Sequence, residues 1–197
     1  MVKTLTPALL DAACQQLSQR VKSSGYVPTL IIGIQTGGAE VARLLKRNFS
    51  EAEYCEVRIS RPGTKQKGKG LTHRLLQLLP LGICDALRIV ESRFNEWRSQ
   101  GKQPVRIGKL ALPIEINLQL NSRPSAESRV LVVDDAIDTG ATLQMACEQL
   151  RSHYPGVEVR TAVITVTTAR PACEADFYLY HNRTLCRFPW SNDYRTK

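Results

Sequence analysis

The chain has 197 residues, 43% of them hydrophobic, which suits one domain with a real core. Its formal charge of +9 calls for an anionic partner without choosing between nucleotide, nucleic acid and membrane surface. No apolar run reaches the roughly 18 residues of a membrane span, and the N-terminus has no long apolar stretch, so neither export nor insertion is expected.

Along the chain, Thr6-Pro7 is a good cap and first-turn pair. Leu10, Ala13, Cys14, Leu17 and Val21 follow as one helical stripe, and Gly25 supplies a stop. Leu30–Ile34 reads as a buried strand, Val41, Leu44 and Leu45 mark a helix, and Tyr54–Ser60 reads as another strand. Residues 61–70, rich in Gly and Lys, predict a mobile loop. A helical insert over 71–100 is expected from Leu75, Leu76, Leu78 and Leu79 before Pro80, then Ile83, Leu87, Val90 and Phe94 as a second stripe. Leu110–Leu120 has strand character and Ser122–Ser128 reads as a loop. Strands are also predicted at Val130–Val133, Val157–Val166 and around Phe177–Tyr180. Leu143, Ala146, Cys147 and Leu150 mark the helix after Val130–Val133. Alternating strand and helix predicts a single α/β domain over 1–197, a mostly parallel twisted sheet flanked by helices. Cys14, Cys55, Cys84, Cys147, Cys173 and Cys186 are dispersed without a C-x-x-C pair, which suggests reduced thiols in a cytoplasm and no cysteine-bound metal.

The densest functional signal is Val130-Leu131-Val132-Val133-Asp134-Asp135-Ala136-Ile137-Asp138-Thr139-Gly140-Ala141-Thr142. A buried-type strand runs into two acids, a short polar turn and an amphipathic helix, at the carboxyl edge where open α/β sheets bind ligands. Gly140 lets the backbone approach an anion, and the helix N-terminus suits a phosphate. Thr139 and Thr142 add hydroxyl donors. Asp134 and Asp135 would repel such an anion unless a polyol or a cation lies between, which fits ribose hydroxyls and Mg²⁺. An acidic turn that merely caps a helix through Asp138 or Thr139 is the plainer reading of the same residues. Gln35-Thr36-Gly37-Gly38 joins an earlier strand to its helix and can hold an anion in a backbone nest, or simply be a tight turn.

The thirteen-residue run resembles the phosphoribosyl-pyrophosphate-binding signature of type I phosphoribosyltransferases. Gly33-Ile34-Gln35-Thr36-Gly37-Gly38 is similar to that family's pyrophosphate loop, though some relatives carry Lys or Arg where Gln35 or Thr36 stands. Arg58, Arg61, Lys65, Lys67, Lys69 and Arg74 lie between Glu56 and Asp85 with no acid among them. In the resembling family a mobile loop at this point closes over the site, so Arg61, Lys65 and Lys67 are expected to neutralise the leaving group. The same loop could instead touch RNA or DNA phosphates. The resemblance further implies a small hood from the chain ends, including 171–197. There Phe188-Pro189-Trp190-Ser191 resembles the Pro-Trp segment of bacterial xanthine–guanine phosphoribosyltransferases, with Trp190 a stacking surface for a base or a plug in the core. Where 6-oxopurine enzymes place a Lys, this chain has Thr167-Thr168-Ala169-Arg170-Pro171.

These roles follow from the resemblance: Asp138, Thr139, Gly140, Ala141 and Thr142 hold the 5′-phosphate, and Asp134 and Asp135 fix the ribose directly or through Mg²⁺. Thr36, Gly37 and Gly38 cradle pyrophosphate, and Asp138 is the general base. The implied protein is a cytoplasmic, homodimeric, Mg²⁺-dependent transferase joining phosphoribosyl pyrophosphate to a nitrogenous, purine-like base. The other reading is a sensor of nucleotide or phosphoribosyl pyrophosphate that binds nucleic acid through its basic surface.

Overall fold

The computed structural model describes residues 1–59, 79–100, 124–169, 171, 173–181 and 183–195. Its helices are α1 (Pro7–Ser23), α2 (Gly37–Lys46), α3 (Leu81–Gln100) and α4 (Ala141–His153). Its strands are β1 (Val2–Thr4), β2 (Leu30–Ile34), β3 (Glu53–Val57), β4 (Arg129–Ile137), β5 (Glu158–Val166), β6 (Phe177–Tyr180) and β7 (Leu185–Arg187). Five of them form one wholly parallel sheet in the order β3-β2-β4-β5-β6, while β1 and β7 make a separate parallel ladder joining the two ends of the chain.

Burial explains why the middle of the sheet is continuously apolar. All five residues of β2 are buried, as are Val130 to Val133 of β4, because helices cover both faces. Side-chain alternation divides the core in two. Leu131 and Val133 join Val41, Ala42 and Leu45 of α2 and the α1 stripe, while Val130 and Val132 join Leu143, Ala146, Cys147 and Leu150 of α4. Thus α2 and α4 lie on opposite faces of the sheet. The chain leaves β2 toward one edge and β4 toward the other, so the gap between these neighbours is the point where strand order reverses.

Local signals set the ends of α1. The Thr6 hydroxyl accepts a hydrogen bond from the Leu9 amide at 3.3 Å, Pro7 opens the helix, and Gly25 follows its end at φ +78°.

Several expectations shift. The strand expected over Tyr54–Ser60 is Glu53–Val57, and the one expected from Val157 begins at Glu158. β4 continues past Val133 to Ile137, so both acids sit within the strand rather than in the turn. The short β1 and β7 carry too few residues for any periodicity to announce them. Of the stretch 71–100 expected as a helical insert, Leu81–Gln100 forms α3, but Ile83, Leu87, Val90 and Phe94 are 47% to 64% exposed and do not face the core. The inward side carries Cys84 and two charges instead. Arg88 bonds Asp193 and Asp85 bonds Arg187, so ion pairs rather than apolar packing seat α3 on the C-terminal segment. The basic loop at 61–70, Leu75, Leu76, Leu78 and the strand reading at Leu110–Leu120 lie outside the described residues.

Candidate functional site

Two loops meet at the point of reversal. Gly33 of β2 pairs with Val133 of β4, and each strand then turns directly into a helix. The N-termini of α2 and α4 therefore open at the same edge, bringing two positive dipole ends together. The helix after β4 starts behind Gly140, whose φ of +80° is a left-handed conformation that favours glycine. It is Gly140, not Asp138 or Thr139, that occupies the cap position, so the plain capping reading of the acidic turn does not hold. Thr139 contributes only a long contact, its hydroxyl accepting from the Ala141 amide at 3.4 Å.

Gly37 and Gly38 are explained by crowding. Neither has a positive φ, so the turn does not use their left-handed freedom. A Cβ on Gly37 would lie 2.0 Å from Oδ2 of Asp135 and 2.7 Å from Nε1 of Trp190. A Cβ on Gly38 would lie 2.6 Å from the Val133 carbonyl oxygen and 2.7 Å from Cα of Asp134. The absent side chains are what let the loop after β2 press against the acidic end of β4. Gln35 and Thr36 are exposed and joined by a cis peptide bond. The Gln35 side chain donates to Glu56 at 3.2 Å. Glu56 also accepts from Tyr54 at 2.7 Å and Arg43 at 2.8 Å. The Tyr54 hydrogen bond foremost, with those from Gln35 and Arg43, outweighs desolvation and holds the Glu56 carboxyl below its usual range.

Asp134 and Asp135 are both half-buried. Oδ1 of Asp134 accepts the Asp135 amide at 2.9 Å, and Oδ2 of Asp135 accepts the indole N–H of Trp190 at 2.9 Å. Trp190 lies parallel to Phe188, with centroids 4.9 Å apart and planes at 5°, so one face of the indole is covered. Asp138 is exposed at the mouth of the loop. The Thr167 hydroxyl lies between the Ile137 carbonyl oxygen at 3.0 Å and Oδ1 of Asp138 at 3.3 Å.

The structure thus gathers Thr36, Gly37, Gly38, Asp134, Asp135, Asp138, Thr139, Gly140, Ala141 and Thr142 at one sheet edge, with Trp190 against the acids. Arg61, Lys65, Lys67 and Arg170 lie outside the described residues. Among the described residues no cluster of three or more His, Cys, Asp and Glu could hold a metal by protein ligands alone. The pair Asp134–Asp135 nevertheless offers the hard oxygen donors that Mg²⁺ prefers.

Sequence reading missed the support behind Trp190. Arg187 and Asp193, each with a side chain 4% exposed, pair at 3.0 Å. Arg88 reaches Asp193 through Nε at 2.8 Å, and Arg187 also bonds Asp85 and, at 2.9 Å, the Thr4 hydroxyl. Thr4, Asp85 and Arg88 are distant in sequence from Arg187 and Asp193, so no local pattern announces these pairs.

A family model described as phosphoribosyl transferase domain matches residues 3–191. No curated protein sequence matches the chain. Among solved structures, a purine phosphoribosyltransferase from Pyrococcus horikoshii Ot3 superposes with a TM-score of 0.60 at 19% identity, covering 96% of this chain and 93% of its own. The xanthine-guanine-hypoxanthine phosphoribosyltransferase of Helicobacter pylori gives 0.61 at 14% identity, covering 96% and 92%. An orotate phosphoribosyltransferase from Aeropyrum pernix gives 0.51 at 17% identity, covering 89% and 73%. At these identities the structural likeness establishes the fold.

Proposed function

Since this chain belongs to the phosphoribosyl transferase domain family, we propose that it transfers the phosphoribosyl group of phosphoribosyl pyrophosphate to a nitrogenous, purine-like base. The observation that carries this reading is the contact between the two loops at the point of reversal. Two helix N-termini and two carboxylates converge there, the groups that a sugar bearing phosphate at both ends calls for.

In this reading the 5′-phosphate lies at the start of α4, on the backbone of Asp138 to Thr142, with the Thr139 and Thr142 hydroxyls. Asp134 and Asp135 take the ribose hydroxyls, and Thr36, Gly37 and Gly38 line the pyrophosphate. Asp134 and Asp135 would also hold Mg²⁺, which when bound supplies positive charge against the pyrophosphate oxygens. Arg61, Lys65 and Lys67 add cationic charge that Gln35 and Thr36 lack. The base nitrogen forms a bond to the anomeric carbon, and the bond from that carbon to the pyrophosphate oxygen breaks with its electron pair leaving on pyrophosphate. The centre passes through oxocarbenium character. Asp138, exposed and near Thr167, takes the ring N–H proton, and half-buried Trp190 stacks on the base.

The test is pyrophosphate release from phosphoribosyl pyrophosphate and Mg²⁺ with a panel of bases spanning 6-oxopurines, adenine and orotate. Turnover with a purine supports the reading. No turnover with any base, together with salt-sensitive RNA or DNA binding, overturns it in favour of a regulator. Asp134→Asn combined with Asp135→Asn is expected to weaken phosphoribosyl pyrophosphate binding in Mg²⁺ by calorimetry, and unchanged affinity would remove those residues from the site.

A further inference from the structure

The contact between the C-terminal segment and the acid pair reaches beyond stacking on a base. Trp190 places its indole N–H on Oδ2 of Asp135 at 2.9 Å, while Oδ1 of Asp135 has no hydrogen bond among the described residues. The ring is fixed from behind by its parallel stack on buried Phe188. Its segment is tied at both ends: Arg187 and Asp193 bracket Trp190 in sequence, pair with each other, and bond Asp85 and Arg88 of α3. The Phe188 amide also donates to the Ser191 hydroxyl at 3.0 Å, closing the turn around the indole. On the far side, the missing Cβ of Gly37 lets the loop after β2 abut both Asp135 and Trp190.

We propose that Trp190 is a positioning residue for Asp135. Its N–H occupies one carboxylate oxygen and sets the orientation in which the other meets the sugar or its metal ion, with α3 and the Arg187–Asp193 pair fixing the indole. A carboxylate with two equivalent oxygens and free rotation would otherwise sample several poses, and a charge-assisted hydrogen bond from a stacked ring removes that freedom. This makes the C-terminal segment part of phosphoribosyl pyrophosphate recognition and not only of base recognition. It rests on the function proposed above.

Two measurements separate the claims. The chain has two tryptophans, so its ¹⁵N-labelled spectrum carries two indole N–H signals. Trp190→Phe identifies one of them, and Asp135→Asn should move that signal and speed its exchange with solvent. An unmoved signal would overturn the bond itself. Calorimetry and kinetics then compare wild type with Trp190→Phe, which keeps an aromatic ring to stack but has no N–H. The expected result is an affinity for phosphoribosyl pyrophosphate with Mg²⁺ lower by about tenfold, in the range of a lost hydrogen bond to a charged group, with the KM for base little changed. A raised KM for base with unchanged phosphoribosyl pyrophosphate affinity would make Trp190 a base platform and overturn the positioning role. If wild type fails to bind phosphoribosyl pyrophosphate while the indole signal responds to Asp135→Asn, the function reading falls and the positioning role falls with it, but the bond stands.

Discussion

Adding a single methyl group at Gly37 or Gly38 tests whether the two loops truly share one crowded space. At Gly38 the new Cβ would meet backbone, the Val133 carbonyl oxygen at 2.6 Å and Cα of Asp134 at 2.7 Å, both within the central strand. Ordinary contact begins near 3.4 Å, so several tenths of an ångström must come from β4 or from α2. Overpacking of this kind costs about 1–3 kcal/mol, and the rigid neighbours put Gly38→Ala at the upper end. At about 2–4 °C of melting temperature per kcal/mol for a chain of this size, Gly38→Ala should melt roughly 5–10 °C lower. Gly37→Ala makes a closer contact, 2.0 Å to Oδ2 of Asp135 and 2.7 Å to Nε1 of Trp190, but both obstacles are side chains and the nearer is the end of one that can rotate away. Its expected stability loss is smaller, about 1 kcal/mol. Its expected functional loss is larger, because relief means swinging Asp135 off Trp190. Phosphoribosyl pyrophosphate binding should then weaken by about tenfold or more, the equivalent of one charged hydrogen bond. Gly82→Ala is the control: a Cβ there meets nothing within 4 Å, and it lies in helix α3, so a gain of up to about 0.5 kcal/mol is expected. Differential scanning fluorimetry and calorimetry on the three variants suffice. Wild-type melting for Gly38→Ala, or wild-type binding for Gly37→Ala, would refute the claim that the glycines exist to let the loops touch.

Asp193 links stability to acid. Burial raises its pKa, but hydrogen bonds and charge from Arg88 and Arg187 outweigh that and hold it at about 2, below the ordinary 3.8. A carboxyl with a lowered folded pKa stabilises above its unfolded pKa, and that contribution fades as pH falls from about 4 to 2. The amount is of order 2 kcal/mol, so Asp193→Asn should flatten the acid limb of a urea-stability profile in that window. At neutral pH the same variant should lose about 3 kcal/mol by leaving Arg187 short of a buried counter-charge, and an unaltered denaturation midpoint would contradict the ion network. None of the six cysteines forms a disulfide. Burial pushes Cys14, Cys55 and Cys147 up to about 12 and Cys186 to about 11, while Cys173 is the most accessible. A thiol reagent at pH 8 should therefore label Cys173 first in the native protein and all six only after denaturation. Rapid native labelling of Cys14 or Cys147 would place those residues outside the core.

Much of this molecule was legible before any coordinates, for a physical reason. The parallel strands are covered on both faces, so Leu30–Ile34 and Val130–Val133 must be apolar without interruption, and each helix stripe must repeat at the helical period. Local chemistry likewise marked Thr6-Pro7, Gly25 and Gly140, where cap and turn geometry admits few residue types. The acids, the glycine pair and the threonines were nameable as a candidate ligand site because they lie at or just beyond the ends of apolar strands. What the chain could not say locally was how those loops meet. That Gly37 faces Asp135, that Trp190 gives its N–H to the same carboxylate, and that Arg187 pairs with Asp85 are facts about distant segments brought together by the fold. The outward-turned stripe of α3 is the clearest case. Periodicity reports that a helix has an apolar side, but which side faces the body was decided by Asp85 and Arg88, whose charges found buried partners only in the folded chain.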